Sequence, residues 1–274
     1  MKNISLIFVV GLACWQSPLG GQPVSARTTQ GVSTGRRPAA RSQQEYDDFQ
    51  SARNSSGGTA LEKAASDFAG KYPDSELRRY LFSQAMRQYQ IENNPAGMLA
   101  MGERVLALDP GDALALVLTA TVVADGLSAG DPDRETKVAE IKKHAVLALQ
   151  AVDKGRAASS QPPVYGTTLQ SMAYSALGIM KLKTGDDAGA EKDLKAAADL
   201  PKIRPDPYIW YHLALAQDHR KKYRAALDSV EQAMQLASAN PRLQRLAETE
   251  HERLNRLTGR APSTPESGET PPPE

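Results

Sequence analysis

Residues 174–200 recur in type as residues 210–236, 36 positions further along the chain. Tyr174 answers to Trp210, Leu177 to Leu213, Gly178 to Ala214, Ala190 to Ala226, Leu194 to Val230, Ala197 to Ala233 and Leu200 to Leu236. In each copy, large apolar residues come first and alanines follow at the spacing of one helical face, as two helices packed back to back require. A single pair of this kind cannot bury its apolar faces alone. The repeat therefore implies a stack in which each pair is covered by its neighbours.

Those residues resemble the tetratricopeptide repeat (TPR) family, whose first helix carries an aromatic, then Leu-Gly, and whose second carries Ala, a bulky residue and Ala. Tyr174-x-x-Leu177-Gly178 and Trp210-x-x-Leu213-Ala214 match the first helix. Ala190-x-x-x-Leu194-x-x-Ala197 and Ala226-x-x-x-Val230-x-x-Ala233 match the second. Lys181 and Gln217 stand where the family has Tyr, Leu194 and Val230 where it has Phe, and the closing Pro falls at Pro241. The resemblance implies an all-α, TPR-type helix-pair solenoid. Small residues are expected where helix backbones approach, with bulky residues filling the space between.

Upstream, Phe82, Ala85 and Tyr89 share a helical face, and Leu108-Asp109-Pro110 closes a second helix. Tyr72-Pro73-Asp74-Ser75-Glu76 looks like a junction found in TPR proteins of bacterial envelopes, including β-barrel assembly lipoproteins. Helix pairs are expected at 43–71, 76–109, 112–153, 167–200 and 206–238, with a charged capping helix at 241–258. Pro and Gly punctuate the connections at Asn93-Asn94-Pro95, Gly130-Asp131-Pro132 and Gln161-Pro162-Pro163. Long loops are expected at 125–133 and 154–166. In the capping helix a thin stripe of Leu243, Leu246, Leu254 and Leu257 lies among charges, which suits a solubilising end and a monomer. The tail 259–274 is rich in Pro and Glu and is expected to be disordered.

At the N-terminus Lys2 precedes an apolar run, 4–13, of the length of a secretion-signal core and too short to span a bilayer. Two cleavage readings stand side by side within residues 1–26. Gly11-Leu12-Ala13-Cys14 resembles a permissive lipobox, which would lipidate Cys14 and anchor the protein to a membrane; Val24-Ser25-Ala26 resembles an ordinary cleavage site. Either one exports the chain, to the periplasm or to the outer membrane as a lipoprotein. Residues 27–42 lack a hydrophobic period and read as a disordered linker. Cys14 is the sole cysteine, so no disulfide is available and stability must come from packing.

The motifs of common chemistries are missing. The four histidines, His144, His212, His219 and His251, form neither a His-Glu-x-x-His helix nor a Cys/His cluster, so no metal is expected. There is no nucleophile elbow and no phosphate-binding glycine loop, and neither a reaction nor a cofactor is expected. Asp186-Asp187 and Asp131-x-Asp133 read as helix caps. A net charge of +1 gives no reason to expect nucleic acid, and the basic run at 220–224 reads as a helix end.

Members of the TPR family generally bind partners in the groove lined by the first helix of each pair. Counting from the motif residues puts Tyr80, Ser83 and Arg87, then Val117 and Thr121, then Met172, Ser175 and Ile179, then Tyr208, Tyr211, Leu215 and His219 on that face. Tyr80, Arg87, Met172, Ile179, Tyr208, Tyr211, Leu215 and His219 are the expected peptide-binding set. Tyrosines combine apolar area with a hydroxyl and suit such contacts; Tyr208 and Tyr211 could equally pack on the flanking helices. The resemblance thus implies a non-enzymatic interaction protein of the bacterial envelope, holding a peptide or helix of another envelope protein. The alternative is a lipid-anchored subunit of an outer-membrane assembly or transport complex.

Overall fold

The computed structural model describes residues 39–156, 163–238 and 240–259. Cys14, the expected export segment, most of the 27–42 linker and all of the tail beyond Gly259 lie outside the described residues.

The described chain is all-α, with eleven helices in order: α1 (Gln43–Arg53), α2 (Gly58–Lys71), α3 (Arg78–Ile91), α4 (Pro95–Leu108), α5 (Ala113–Gly126), α6 (Arg134–Arg156), α7 (Pro163–Thr184), α8 (Asp187–Asp199), α9 (Pro207–His219), α10 (Tyr223–Leu236) and α11 (Pro241–Thr258). Their starts are written in the local sequence. Ser42, Asn94, Asp112, Asp186, Asp206 and Asn240 each accept a hydrogen bond from a first-turn N–H, worth about 1 kcal/mol per cap. Pro95, Pro207 and Pro241 open their helices, where the missing N–H has no partner to lose. The expected 154–166 loop is shorter than the sequence implied, because α6 continues to Arg156 and α7 begins at Pro163. The added turns are stabilised by packing: Thr168 and Leu169 are each 3% exposed.

Each helix packs on its neighbours in sequence, and the first helices of successive pairs also meet at α1–α3, α5–α7 and α7–α9, giving a solenoid-like stack. The helix α5 is apolar all round and buried on nearly every side, which makes it the centre of the stack. At the N-terminal end, Tyr72 follows α2 and donates its hydroxyl to Asp48 of α1 at 2.5 Å, while Phe68 touches both Tyr72 and Phe49. The Tyr72–Ser75 junction therefore ties the first pair together. The charged helix α11 seals the other end, with Leu243, Ala247 and Leu254 fully buried and Arg253 paired with Asp218 of α9 at 2.5 Å. No described helix is long and apolar enough to cross a membrane.

The repeat acquires a volume rule in three dimensions. A Cβ on Gly178 of α7 would lie 2.5 Å from Cγ of Leu194 on α8, so glycine is what lets the leucine in. In the next pair Ala214 and Val230 occupy the equivalent positions, both fully buried. One methyl gained on the first helix is matched by one carbon lost on the second. Gly178→Ala is expected to cost about 1–3 kcal/mol through overpacking, partly offset by the roughly 1 kcal/mol gain in helix propensity. Adding Leu194→Val should recover most of the loss. A urea-melt double-mutant cycle checks this, and strict additivity would contradict it.

Candidate functional site

The sequence-derived groove positions part company in the structure. Tyr80 is 41% exposed on α3, with the Arg79 guanidinium 5.0 Å from its ring, and Arg87 is exposed about two turns further on. Tyr211 and Leu215 of α9 are partly exposed. His219 is exposed at the end of α9, its Nδ1 2.9 Å from Asp187 of α8, which places it at a helix–helix corner. Met172, Ile179 and Tyr208, by contrast, are in the core, with Ile179 fully buried, as are Val117, Thr121 and Ser175. These positions cannot meet a ligand docked on the surface. The physical reason is that counting assumes every first helix shows the same face, whereas α5 is enclosed and α7 packs on α5, α6, α8 and α9. Tyr208 takes the packing option, its hydroxyl accepting a hydrogen bond from Asn240 at the start of α11 at 2.8 Å.

Where the end of α5, the end of α7 and the start of α9 converge, the structure instead assembles a polar cluster. Asp125 is 6% exposed, and its Oδ2 has no hydrogen-bond partner. Lys183 of α7 reaches it electrostatically, but donates its ammonium hydrogens to the carbonyls of Ala124 and Asp125 at 3.0 and 2.5 Å. Asp206, partly exposed, caps α9 by accepting from the Tyr208 N–H at 2.9 Å, and feels both Asp125 and Lys202. Lys202 in turn donates to the Ala198 carbonyl at the end of α8 at 2.8 Å. His212 lies buried on α9 near Lys183.

Burial governs the protonation of this cluster. It raises the Asp125 carboxyl well above its usual range, against the pull of Lys183 and with the push of Asp206. Burial also raises Asp206 to about 7, although the Tyr208 N–H and Lys202 favour its charged form. His212 is lowered to about 4 by burial, with Lys183 adding to the shift, and is neutral at pH 7. The signs oppose one another. Raised acids hold protons in the folded state that the unfolded chain releases, so their contribution to stability falls as pH rises from about 4 through the folded value, about 7 for Asp206. Neutral His212 favours folding above its unfolded value of about 6.5, and that contribution is lost as pH falls towards 4.

Asp125→Asn is consequently expected to stabilise the protein. It removes a buried ionisable group whose unsatisfied oxygen costs about 1–3 kcal/mol. The gain should be largest at alkaline pH and shrink towards pH 4, where Asp125 is protonated in both states. Chemical denaturation across that range measures it, and a pH-independent loss of stability would contradict the assignment.

The remaining polar motifs are structural. Asp186 caps α8, and Asp131 accepts from the Ser128 N–H and pairs with Lys137. Within the basic run, Arg220 and Lys222 both pair with Glu191 of α8, and Lys221 adopts a φ of 59° in the turn. Among the described residues no group of three or more His, Cys, Asp or Glu is placed to hold a metal ion. Two open surface hollows, of about 510 and 340 Å³, lie at Lys221–Ala225 with Leu257 and around Arg134–Lys142 with Thr184. Neither contains a predicted groove residue. The sequence reading missed Asp125, Lys183 and Asp206; the available signal was a single acid at the close of the apolar run 113–124 and an aspartate between two prolines, Pro205 and Pro207. No protein-family model matches the chain, and neither does any curated protein.

Proposed function

We propose that this chain is a non-enzymatic TPR-type scaffold of the bacterial envelope that holds a peptide or helix of another envelope protein along its first helices. The observation that supports this reading most is the stack itself. It repeats one helix-pair design, with matched small and large residues at Gly178/Leu194 and Ala214/Val230, and leaves Tyr80, Tyr211 and Leu215 accessible on first helices. Aromatic rings on rigid helices provide contact area at small entropic cost. The expected contact set narrows to Tyr80, Arg87, Tyr211 and Leu215 on the outer part of that face, joined by the polar cluster around Asp206.

Site-specific photocrosslinking in the cells that make the protein tests it. A photoreactive residue at Tyr80 or Tyr211 should capture one defined protein, and the same residue at exposed Val146 of α6 should not. Equal capture from all three positions, or capture from Val146 alone, would sink the groove assignment. The second reading, a lipid-anchored assembly subunit, draws on Gly11-Leu12-Ala13-Cys14. It requires that Cys14→Ser release the protein from membranes, and unchanged fractionation would count against it.

A further inference from the structure

The basic run at 220–224 is neutralised only in part. Arg220 and Lys222 pair with Glu191 of α8, and nearby Arg253 of α11 pairs with Asp218 and Glu250. Lys221 and Arg224 are exposed and, among the described residues, their side chains have neither a hydrogen bond nor an ion pair. Both line the larger open hollow, of about 510 Å³, together with Tyr223, Leu257 and Thr258, and no acidic side chain lines it. Leu257 is 49% exposed there, while Leu243, Leu246 and Leu254 of the same stripe are buried or half-buried. Two cations without counter-charges thus flank an uncovered apolar side chain. The residues that follow in the chain carry the complementary chemistry. Thr258 lines the hollow, and Gly259 turns the chain off the axis of α11 with φ 70° and ψ 13°, its N–H bonded to the Asn255 carbonyl. Residues 260–274 then hold Glu266, Glu269 and Glu274 against a single cation, Arg260, with five prolines among them.

We propose that residues 260–274 dock back onto this hollow, with Glu266 and Glu269 paired to Lys221 and Arg224 and with Pro262 or Pro265 covering Leu257. Reach permits it: the seven to ten residues from Gly259 to these two glutamates span at most roughly 25–35 Å, and the hollow begins one residue before the tether. The tether also favours this occupant over an acidic segment of another protein. It holds the glutamates at an effective concentration on the order of mM, so a contact of only about millimolar affinity is about half formed, whereas a free partner would have to be as concentrated. Proline adds an apolar ring with a fixed φ, which leaves less conformational entropy to lose on docking. The docked segment covers Leu257 and closes this end of the stack against a second copy of the chain. The hollow contains none of the groove residues, so the inference stands independently of the partner reading above.

Paramagnetic amide NMR on the isotopically labelled full chain tests this. With Cys14→Ser and Ser267→Cys, the single thiol carries a nitroxide between the two glutamates. Amides at 221–225 should broaden, and the broadening should fall about fivefold in Lys221→Glu/Arg224→Glu, or when salt is raised from about 0.05 M to about 0.5 M. Residues 257 and 258 adjoin the tether and broaden in either case, so 221–225 carry the readout. Both reversed side chains are exposed, and an unchanged melting temperature will show that the fold is intact. Adding Glu266→Lys/Glu269→Lys to the reversed pair should restore the broadening, which a local disturbance of the 220–224 turn would not do. Broadening at 221–225 that ignores charge reversal, or that the charge swap fails to restore, would overturn the proposal. So would broadening seen only when nitroxide-bearing copies are mixed with isotopically labelled copies that lack the nitroxide, since the hollow would then belong to a second copy.

Discussion

Tyr89→Ala is expected to destabilise the fold by about 3–5 kcal/mol, the range for removing a buried aromatic. Tyr89, on α3, is 4% exposed and sits between two glycines on different helices. A Cβ on Gly97 of α4 would fall 2.5 Å from its ring, and one on Gly58 of α2 would come as close. The ring thus fills the space that both neighbouring backbones leave, and its hydroxyl donates to Glu62 of α2 at 2.5 Å. Truncation would open a cavity shared by three helices. Tyr89→Phe keeps the ring and loses only the hydroxyl, so about 1 kcal/mol is expected. Urea denaturation of both variants separates the two contributions; a cost below about 1 kcal/mol for Tyr89→Ala would show that the three helices do not close on this ring.

Leu194→Ala should cost about 2–5 kcal/mol for a similar reason at the other end of the stack. Leu194 is fully buried on α8 and lies against Gly178, so nothing on α7 can relax into the vacated volume without moving the backbone. In a stack whose elements contact mainly their neighbours, the loss should spread unevenly. Amide exchange is expected to accelerate in α7, α8 and α9 and change little in α2 and α3. Uniform acceleration along the chain would mean that the stack unfolds as one cooperative unit.

The helix boundaries were legible because they depend on local chemistry. Asp186, Asp206 and Asn240 cap helices at the points where the period begins, and Pro95, Pro207 and Pro241 follow caps directly. The extension of α7 to Pro163 was not legible, since it is paid for by tertiary burial of Leu169 that no local signal announces. The groove positions were counted along the sequence as though every first helix presented the same face. Which face each helix presents depends on crossing angles, and these enclosed Met172, Ile179 and Tyr208 while leaving Tyr211 and Leu215 accessible. The polar cluster escaped because its members are far apart in sequence: Asp125 closes α5, Lys183 nears the end of α7 and Asp206 precedes α9. Each is unremarkable alone, and only the packing of α5, α7 and α9 makes them neighbours.

Hydrogen exchange with and without the protein captured from the groove tests most directly whether the first helices carry recognition. Slowed exchange is expected at the end of α7 and along α9 around Tyr211, with α8 and α10 unchanged. Slowing confined to α6, α8 or α10, with α9 exchanging as in the free protein, would contradict it.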